Sequence, residues 1–262
     1  HAAGVSGQAP QRDSTELLGG KFMDSGIDVA IAGDKYFTGR KDGRDLKGQL
    51  SAKGYVVVHA MENLDTMDSG KVVALLPARN LPKSQQGWEG YLPRAVDRAL
   101  EILDRNSSSG KGFMLMVEGS LIDYAGHRND VDRLMVEMEE FDCAVGIAFD
   151  YADTHPGTLV VVCSDHETGG LSLPDGVPGS GYVRNGVGYR FATGGHTAVM
   201  VPLFAYGSGA SYFSRVLDNT EIPLTIGRLF TNESRADTEP QPALHPPCPI
   251  ICQPQVNSLQ GW

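Results

Sequence analysis

The chain has 262 residues, 41% of them hydrophobic, and a formal net charge of −10, which is enough material for a large core in one domain or a modest two. An acidic surface argues against a nucleic-acid backbone as a partner, and it would repel a phosphate ester unless bound cations reverse the field locally. No uninterrupted apolar run approaches the roughly 20 residues that a membrane helix needs, and the amino terminus lacks the basic start and apolar segment of a signal peptide.

Helical and strand-like patterns alternate along the chain. Apolar residues recur at helical spacing in the convincing amphipathic segment 91–105 and in the longest helical pattern, 130–151. Shorter helical patterns are predicted at 14–23, near Leu50 and at 222–230. Apolar runs typical of strands lie at 28–33, 55–60, 71–76, 113–117, 158–163 and 199–206. The run at 158–163 has the continuous apolar character of a strand in a central parallel sheet.

This alternation predicts an α/β fold, a three-layer sandwich with a mostly parallel central sheet. After residue 231 the composition changes to a proline-rich stretch without periodicity. We therefore expect one α/β domain over residues 1–231 and an irregular tail over residues 232–262.

Two carboxylates and an imidazole, those of Glu118, Asp123 and His127, lie within ten residues on a predicted strand-to-helix loop. Asp123 and His127 are four residues apart, so one helical turn can aim both side chains at one ion. Such an oxygen and nitrogen set suits zinc, whereas a lone hard carboxylate such as Glu118 suits magnesium. The pair alone is a weak signal, because most pairs with this spacing are solvated or structural.

Two further clusters strengthen the metal interpretation. Asp165 and His166 directly follow the apolar run at 158–163, and His196 stands in the sequence GGHT just before the run at 199–206. Ligands bind at the carboxyl ends of parallel strands in open α/β sheets. Three loop clusters beside apolar strands are a much less frequent accident than one, so the sequence predicts a shared metal site.

The motifs also resemble a known family. The stretches MVEGSLIDYAGHRND at 116–130, DHETGG at 165–170 and GGHT at 194–197, followed by VPLFAYG at 201–207, look like the metal-site motifs of alkaline phosphatases. Their order and spacing match as well. The segment IDV through KYF to RKDGR at 27–44 is similar to a family segment, and the resemblance covers roughly residues 15 to 230.

The resemblance implies two zinc ions, one magnesium ion and a reaction that hydrolyses phosphate monoesters through a phosphoserine. Carried over by motif position, the first zinc would be held by Asp123, His127 and His196. The second would be held by Asp165 and His166, and Glu118 would be a magnesium ligand. The resemblance further implies a phosphate monoester as substrate, inorganic phosphate as product and an extracytoplasmic location, and it is compatible with a homodimer.

One part of the family pattern has no counterpart here. The family nucleophile is a serine in an Asp-Ser-Ala context, accompanied by a bridging Asp, a magnesium-binding Thr or Ser and a phosphate-clamping Arg. The Asp-Ser pairs of this chain, at 13–14, 24–25 and 68–69, are more typical of helix caps or turns. We therefore assign no catalytic nucleophile. We expect the sequence to be the C-terminal portion of a longer enzyme and to be inactive by itself.

Two other functional classes stay open from the sequence. One is a different metal-dependent hydrolase of the same superfamily, such as a phosphodiesterase, a phosphomutase or a sulfatase. The other is a non-catalytic zinc-binding remnant. Among the remaining residues, His155 is predicted to be a turn residue, Cys143 and Cys163 to be buried free thiols, and Cys248 and Cys252 to be spaced for a disulfide.

Overall fold

The structure is a computed structural model that describes residues 15–76, 90–107, 110–175, 181–182 and 187–231. The chain divides into two compact units, His1–Glu118 and Gly119–Trp262. None of the helices in the described ranges is both long and apolar enough to cross a membrane. Residues 232–262 of the predicted tail lie outside the described residues, so the domain boundary at 231 stays a prediction.

The first unit is built on a parallel three-stranded sheet in the order β1-β3-β2. The strands are β1 (Val29–Gly33), β2 (Val56–Val58) and β3 (Val72–Leu76), and β3 pairs with both neighbours. Every residue of β3 is buried, as its continuous apolar sequence predicts for a strand covered on both faces.

Alternate side chains of β3 enter two separate hydrophobic clusters, because successive residues of a strand point to opposite faces. Ala74 faces the cluster formed with α3 (Met61–Leu64) and α4 (Tyr91–Asn106). Leu75 faces the cluster formed with α1 (Thr15–Phe22) and α2 (Leu46–Ala52). Helices on both faces of a parallel sheet give the predicted three-layer α/β arrangement in this unit.

The second unit contains α5 (Ser120–His127), the long helix α6 (Val131–Thr154) and α7 (Glu221–Phe230). The strands in the described part of this unit form antiparallel pairs. The longest pair joins β4 (Leu159–Cys163) to β9 (Leu203–Gly207). The short pairs are β5 (Glu167–Thr168) with β8 (His196–Thr197), and β6 (Gly181–Tyr182) with β7 (Gly188–Tyr189).

The structure corrects three expectations. No strand forms at residues 113–117, where half-buried and exposed side chains alternate along an extended segment. The strand β4 pairs antiparallel with β9, and its residues up to Val162 are only half-buried. The continuous apolar sequence of β4 therefore did not indicate the direction of the strand with which it pairs. Finally, Cys143 is disulfide-bonded rather than free, whereas Cys163 is free as predicted but exposed rather than buried. The pairing of Cys248 with Cys252 lies outside the described residues.

Candidate metal centre

The helix α5 places Asp123 and His127 one turn apart on the same face. The Nε2 atom of His127 lies 3.4 Å from Oδ1 of Asp123, as the spacing of four residues predicts. Between them, Gly126 lets the helix approach β5 closely, because a Cβ at this position would stand 2.8 Å from the carbonyl oxygen of Thr168. The helix and the strand therefore meet through a glycine, and this contact brings the two motifs together.

The turn that follows α5 is fixed by two polar side chains. Asn129 has a positive φ of 53°, which is uncommon for a residue other than glycine but tolerated by asparagine. In the amide orientation that satisfies both groups, the side-chain nitrogen of Asn129 donates to the carbonyl of Gly126 at 3.1 Å and to that of Thr193 at 2.8 Å. Asp130 caps α6 by accepting from the backbone N–H of Arg133 at 3.0 Å, as aspartate often does at the start of a helix.

The strand pair β5 and β8 joins the second and third motifs. In its register Glu167 lies opposite Thr197, and Thr168 lies opposite His196. The carboxylate of Glu167 accepts from the backbone N–H groups of Gly170 at 3.1 Å and of the next residue at 3.2 Å, and also from the hydroxyl of Thr197. Glu167 therefore holds both strands of the pair in place.

Asp123, His127 and His196 converge on one point. The Nε2 atom of His196 lies 3.1 Å from Nε2 of His127 and 3.5 Å from Oδ1 of Asp123. Two ligand atoms bound tetrahedrally at about 2.1 Å from one zinc ion are about 3.4 Å apart. The three distances between these ligand atoms, including the 3.4 Å from Asp123 to His127, thus fit the edges of one zinc tetrahedron.

The ring of His127 is held in its orientation by a contact of its Nδ1 atom. Its Nδ1 atom lies 2.7 Å from the carbonyl oxygen of Gly194. A carbonyl oxygen only accepts, so Nδ1 carries the proton and Nε2 presents its lone pair to the other two side chains. This is the arrangement by which backbone carbonyls fix the tautomer of metal-binding histidines.

Asp165 and His166 lie beside this trio. The Oδ2 atom of Asp165 is 3.3 Å from Nε2 of His166, and the ring of His166 stacks on that of His196 with centroids 3.6 Å apart. Asp123, His166 and His196 also offer ligand atoms that all lie within 4.8 Å of one another. Within the trio that includes His127, all three distances lie between 3.1 and 3.5 Å, and His166 with Asp165 provides an adjacent pair.

Glu118 is exposed and is the last residue of the first unit. The other predicted ligands belong to the second unit, so the role of Glu118 as a magnesium ligand stays a prediction. The predicted turn residue His155 directly follows α6, and its ring stacks on Tyr151 with centroids 3.8 Å apart. Ser25, one of the serines in an Asp-Ser pair, donates to the carbonyl of Phe22 at 2.7 Å in the turn after α1.

Sequence reasoning missed the hydroxyl that touches two predicted ligands. Thr168 Oγ1 lies 2.7 Å from Oδ1 of Asp123 and 3.2 Å from Nδ1 of His166. The sequence signal that could have pointed to Thr168 was its position two residues after the predicted ligand His166 in the second motif. The partner Asp123 is 45 residues away in sequence, and no local pattern connects the two.

Known proteins are similar to this chain in sequence and in fold. The family model for alkaline phosphatase matches residues 15–185. Alkaline phosphatase 3 of Bacillus subtilis is 36% identical over 163 residues, which are 62% of this chain and 34% of that protein. The structure of alkaline phosphatase from the Antarctic bacterium TAB5 gives a TM-score of 0.77 at 31% identity, covering 86% of this chain and 67% of the TAB5 chain.

A mutant of the TAB5 enzyme, solved with magnesium bound, gives a TM-score of 0.74 at 33% identity over 86% of this chain and 67% of its own. The chain spans about a third of the length of the curated Bacillus subtilis relatives that it matches, 34% of one and 36% of the other.

Proposed function

Because this chain belongs to the alkaline phosphatase family, we propose that it supplies most of the metal ligands of an enzyme that hydrolyses phosphate monoesters. The observation that carries the proposal is the trio of Asp123, His127 and His196, whose ligand atoms are 3.1 to 3.5 Å apart. All three distances are close to the edge length of a zinc tetrahedron, which supports one shared ion.

Each ligand has a distinct place in the proposed centre. Asp123, His127 and His196 would hold one zinc ion, and Asp165 with His166 would hold part of the shell of a second. When bound, the ions would supply Lewis acidity and positive charge at the phosphoryl group and at the attacking and leaving oxygens. In a chain with a net charge of −10, that positive charge also removes the repulsion of an anionic substrate.

Magnesium and the nucleophile complete the proposal. Glu118 is the proposed magnesium ligand, supported by the hard-oxygen preference of magnesium and by the magnesium bound in the related TAB5 mutant. The proposed intermediate is a phosphoserine, formed on a serine outside residues 1–262. Ser25 does not suit that role, because its hydroxyl donates to a backbone carbonyl within a turn.

The test of the metal assignment compares three variants in a protein that carries this chain together with its nucleophile segment. We expect His196→Ala and Asp165→Asn each to lower zinc content and the hydrolysis of a chromogenic phosphate monoester together. Asp→Asn keeps the shape of the side chain and removes the anionic ligand. His155→Ala is the matched control, because the ring of His155 stacks on Tyr151 and is not a proposed ligand. The His155→Ala variant should keep the zinc content of the wild type. Full zinc and full turnover in either ligand variant would refute the centre.

The proposal also predicts how the 262-residue chain behaves by itself. With excess zinc and magnesium it should bind zinc at the trio but should not turn over the same ester at an enzyme-like rate. The second site would have only Asp165 and His166 as protein ligands, fewer than the three usual for catalytic zinc. Chelator-sensitive turnover by this chain would instead show that it contains a working nucleophile.

A further inference from the structure

We propose that Thr168 is a positioning residue that couples the two zinc sites, because its single hydroxyl orients Asp123 and sets the tautomer of His166. The inference rests on the proposed metal-dependent function and adds a residue to it. Asp123 belongs to the first proposed site and His166 to the second. A side chain that touches one ligand of each can adjust both sites at once.

The hydroxyl lies between the two ligands at hydrogen-bonding distance. Thr168 Oγ1 is 2.7 Å from Oδ1 of Asp123 and 3.2 Å from Nδ1 of His166. The contacted oxygen of Asp123 is also the one that faces Nε2 of His127 at 3.4 Å and Nε2 of His196 at 3.5 Å. Thr168 is therefore bonded to the ligand atom itself and holds it in the direction of the two histidines.

The number of protons fixes the direction of each hydrogen bond. A threonine hydroxyl has one proton to donate and can also accept, whereas an ionised carboxylate only accepts. The proton of Thr168 therefore goes to Asp123, and the hydroxyl oxygen accepts from Nδ1–H of His166. With its proton on Nδ1, the neutral ring of His166 keeps a lone pair on Nε2, which lies beside Asp165 and is the atom available to a metal.

The fold explains why a threonine suits this place. The register of β5 with β8 sets Thr168 opposite His196. The Cγ2 methyl of Thr168 lies on the side of Gly126, 3.1 Å from where a Cβ of that glycine would stand. The methyl thus packs toward α5 while the hydroxyl reaches the ligands. Valine at this position would keep the methyl contact with α5 but lose the hydroxyl. Serine would keep the hydroxyl but lose the methyl contact.

The first measurement needs no zinc. In the metal-free 262-residue chain at about pH 8, where an ordinary imidazole is neutral, nitrogen NMR gives the populations of the two tautomers of His166. The hydroxyl of Thr168 favours a proton on Nδ1, and the carboxylate of Asp165, 3.3 Å from Nε2, favours a proton on Nε2. The population with the proton on Nδ1 should fall in Thr168→Val and recover in Thr168→Ser, and an unchanged population in Thr168→Val would overturn the proposal.

The second measurement is zinc affinity, determined by competition with a colorimetric chelator. Loss of an outer partner of a metal ligand typically weakens binding about 10- to 100-fold, so we expect a loss of that size in Thr168→Val and recovery in Thr168→Ser. Thr168→Ala repeats the test without placing a methyl against Asp123. Thr225→Val is the matched control, because that hydroxyl donates at 2.8 Å to the carbonyl of Glu221 within α7.

The outcomes separate this inference from the proposed function. A wild-type chain that binds no zinc would refute the metal centre and the coupling with it. A wild-type chain that binds zinc, together with Thr168→Val and Thr168→Ala chains that bind it equally well, would leave the centre in place and overturn the role of Thr168. Circular dichroism of each variant identifies a loss of fold. If Thr168→Val unfolds, the comparison of Thr168→Ala with Thr168→Ser decides.

Discussion

At the scale of single residues, the proposed metal centre depends on a glycine that is not itself a ligand. A Cβ at position 126 would stand 2.8 Å from the backbone oxygen of Thr168. Real Cβ atoms essentially never come this close to another heavy atom. We expect Gly126→Ala to separate α5 from β5 and to weaken zinc binding, although alanine favours a helix by about 1 kcal/mol over glycine. Equilibrium dialysis against zinc measures the effect.

A second helical glycine provides the control for this prediction. A Cβ at Gly227 in α7 would meet nothing within 4 Å, so Gly227→Ala gains helix propensity without a clash. This variant should bind zinc like the wild type and unfold at an equal or higher temperature. Equal zinc binding by the Gly126 and Gly227 variants would contradict the close-approach argument.

The proposed ligands could be singled out from the sequence, but most of the contacts among them could not. Asp123 and His127 share a helical turn and could be paired from their spacing. His196 is 69 residues from His127, and only the recognised motif order indicated that the two belong together. Thr168 was not predicted, because its role follows from the register of β5 with β8, and two-residue strands leave no periodic pattern in a sequence.

At the scale of elements, the parallel sheet of the first unit was predicted well because burial fixes its pattern. The continuous apolar run at 71–76 became the central strand β3, buried at every position. The run at 113–117 was predicted wrongly, although it is just as apolar. Its Met114 and Met116 are 67% and 53% exposed. An apolar run indicates a tendency to form a strand, whereas the neighbours that complete a strand are determined by tertiary structure.

The helix α4 carries a test of alkaline stability. Burial raises the pKa of Tyr91, its first residue, from 10.0 to about 12. The unfolded chain therefore releases this proton first as the pH rises. The contribution of the neutral phenol to stability is complete below about pH 10 and is lost as the pH approaches 12.

We expect Tyr91→Phe to remove this part of the alkaline sensitivity. Urea unfolding of the wild type and the variant at pH 8 and pH 11 gives the change in their stability difference. One pH unit above the unfolded pKa corresponds to about 1.4 kcal/mol, so the variant should gain about that much on the wild type between the two pH values. An unchanged difference would show that the phenol of Tyr91 titrates alike in both states.

At the scale of the whole molecule, the two units differ in how much apolar surface they bury. The sheet of the first unit has a hydrophobic cluster on each face. Within the described part of the second unit, the buried apolar side chains are few and mostly small: Ala125, Val131, Ala144, Ala210 and Phe213. The second unit contains the trio proposed to bind zinc, so bound zinc would stabilise a part of the chain with few buried apolar side chains.

Apolar surface that stays exposed in the second unit leads to a prediction of self-association. Met200 and Val216 are 82% and 83% exposed, and Phe204 is 61% exposed. Exposed apolar side chains favour association when they form a patch, whereas a net charge of −10 opposes the approach of a second copy. We therefore expect the chain to associate with rising concentration, and more strongly when salt shortens the Debye length to about 10 Å at 0.1 M.

Sedimentation velocity at two salt concentrations tests this prediction with charge-neutral variants. Replacing Met200 by Gln and Val216 by Thr removes apolar surface without changing the net charge, so the double variant should stay monomeric at concentrations where the wild type associates. Leu17→Gln is the control, because Leu17 is 40% exposed but belongs to the first unit. If the wild type were monomeric at both salt concentrations, the exposed side chains would be scattered single residues. If the double variant associated like the wild type, association would come from another surface.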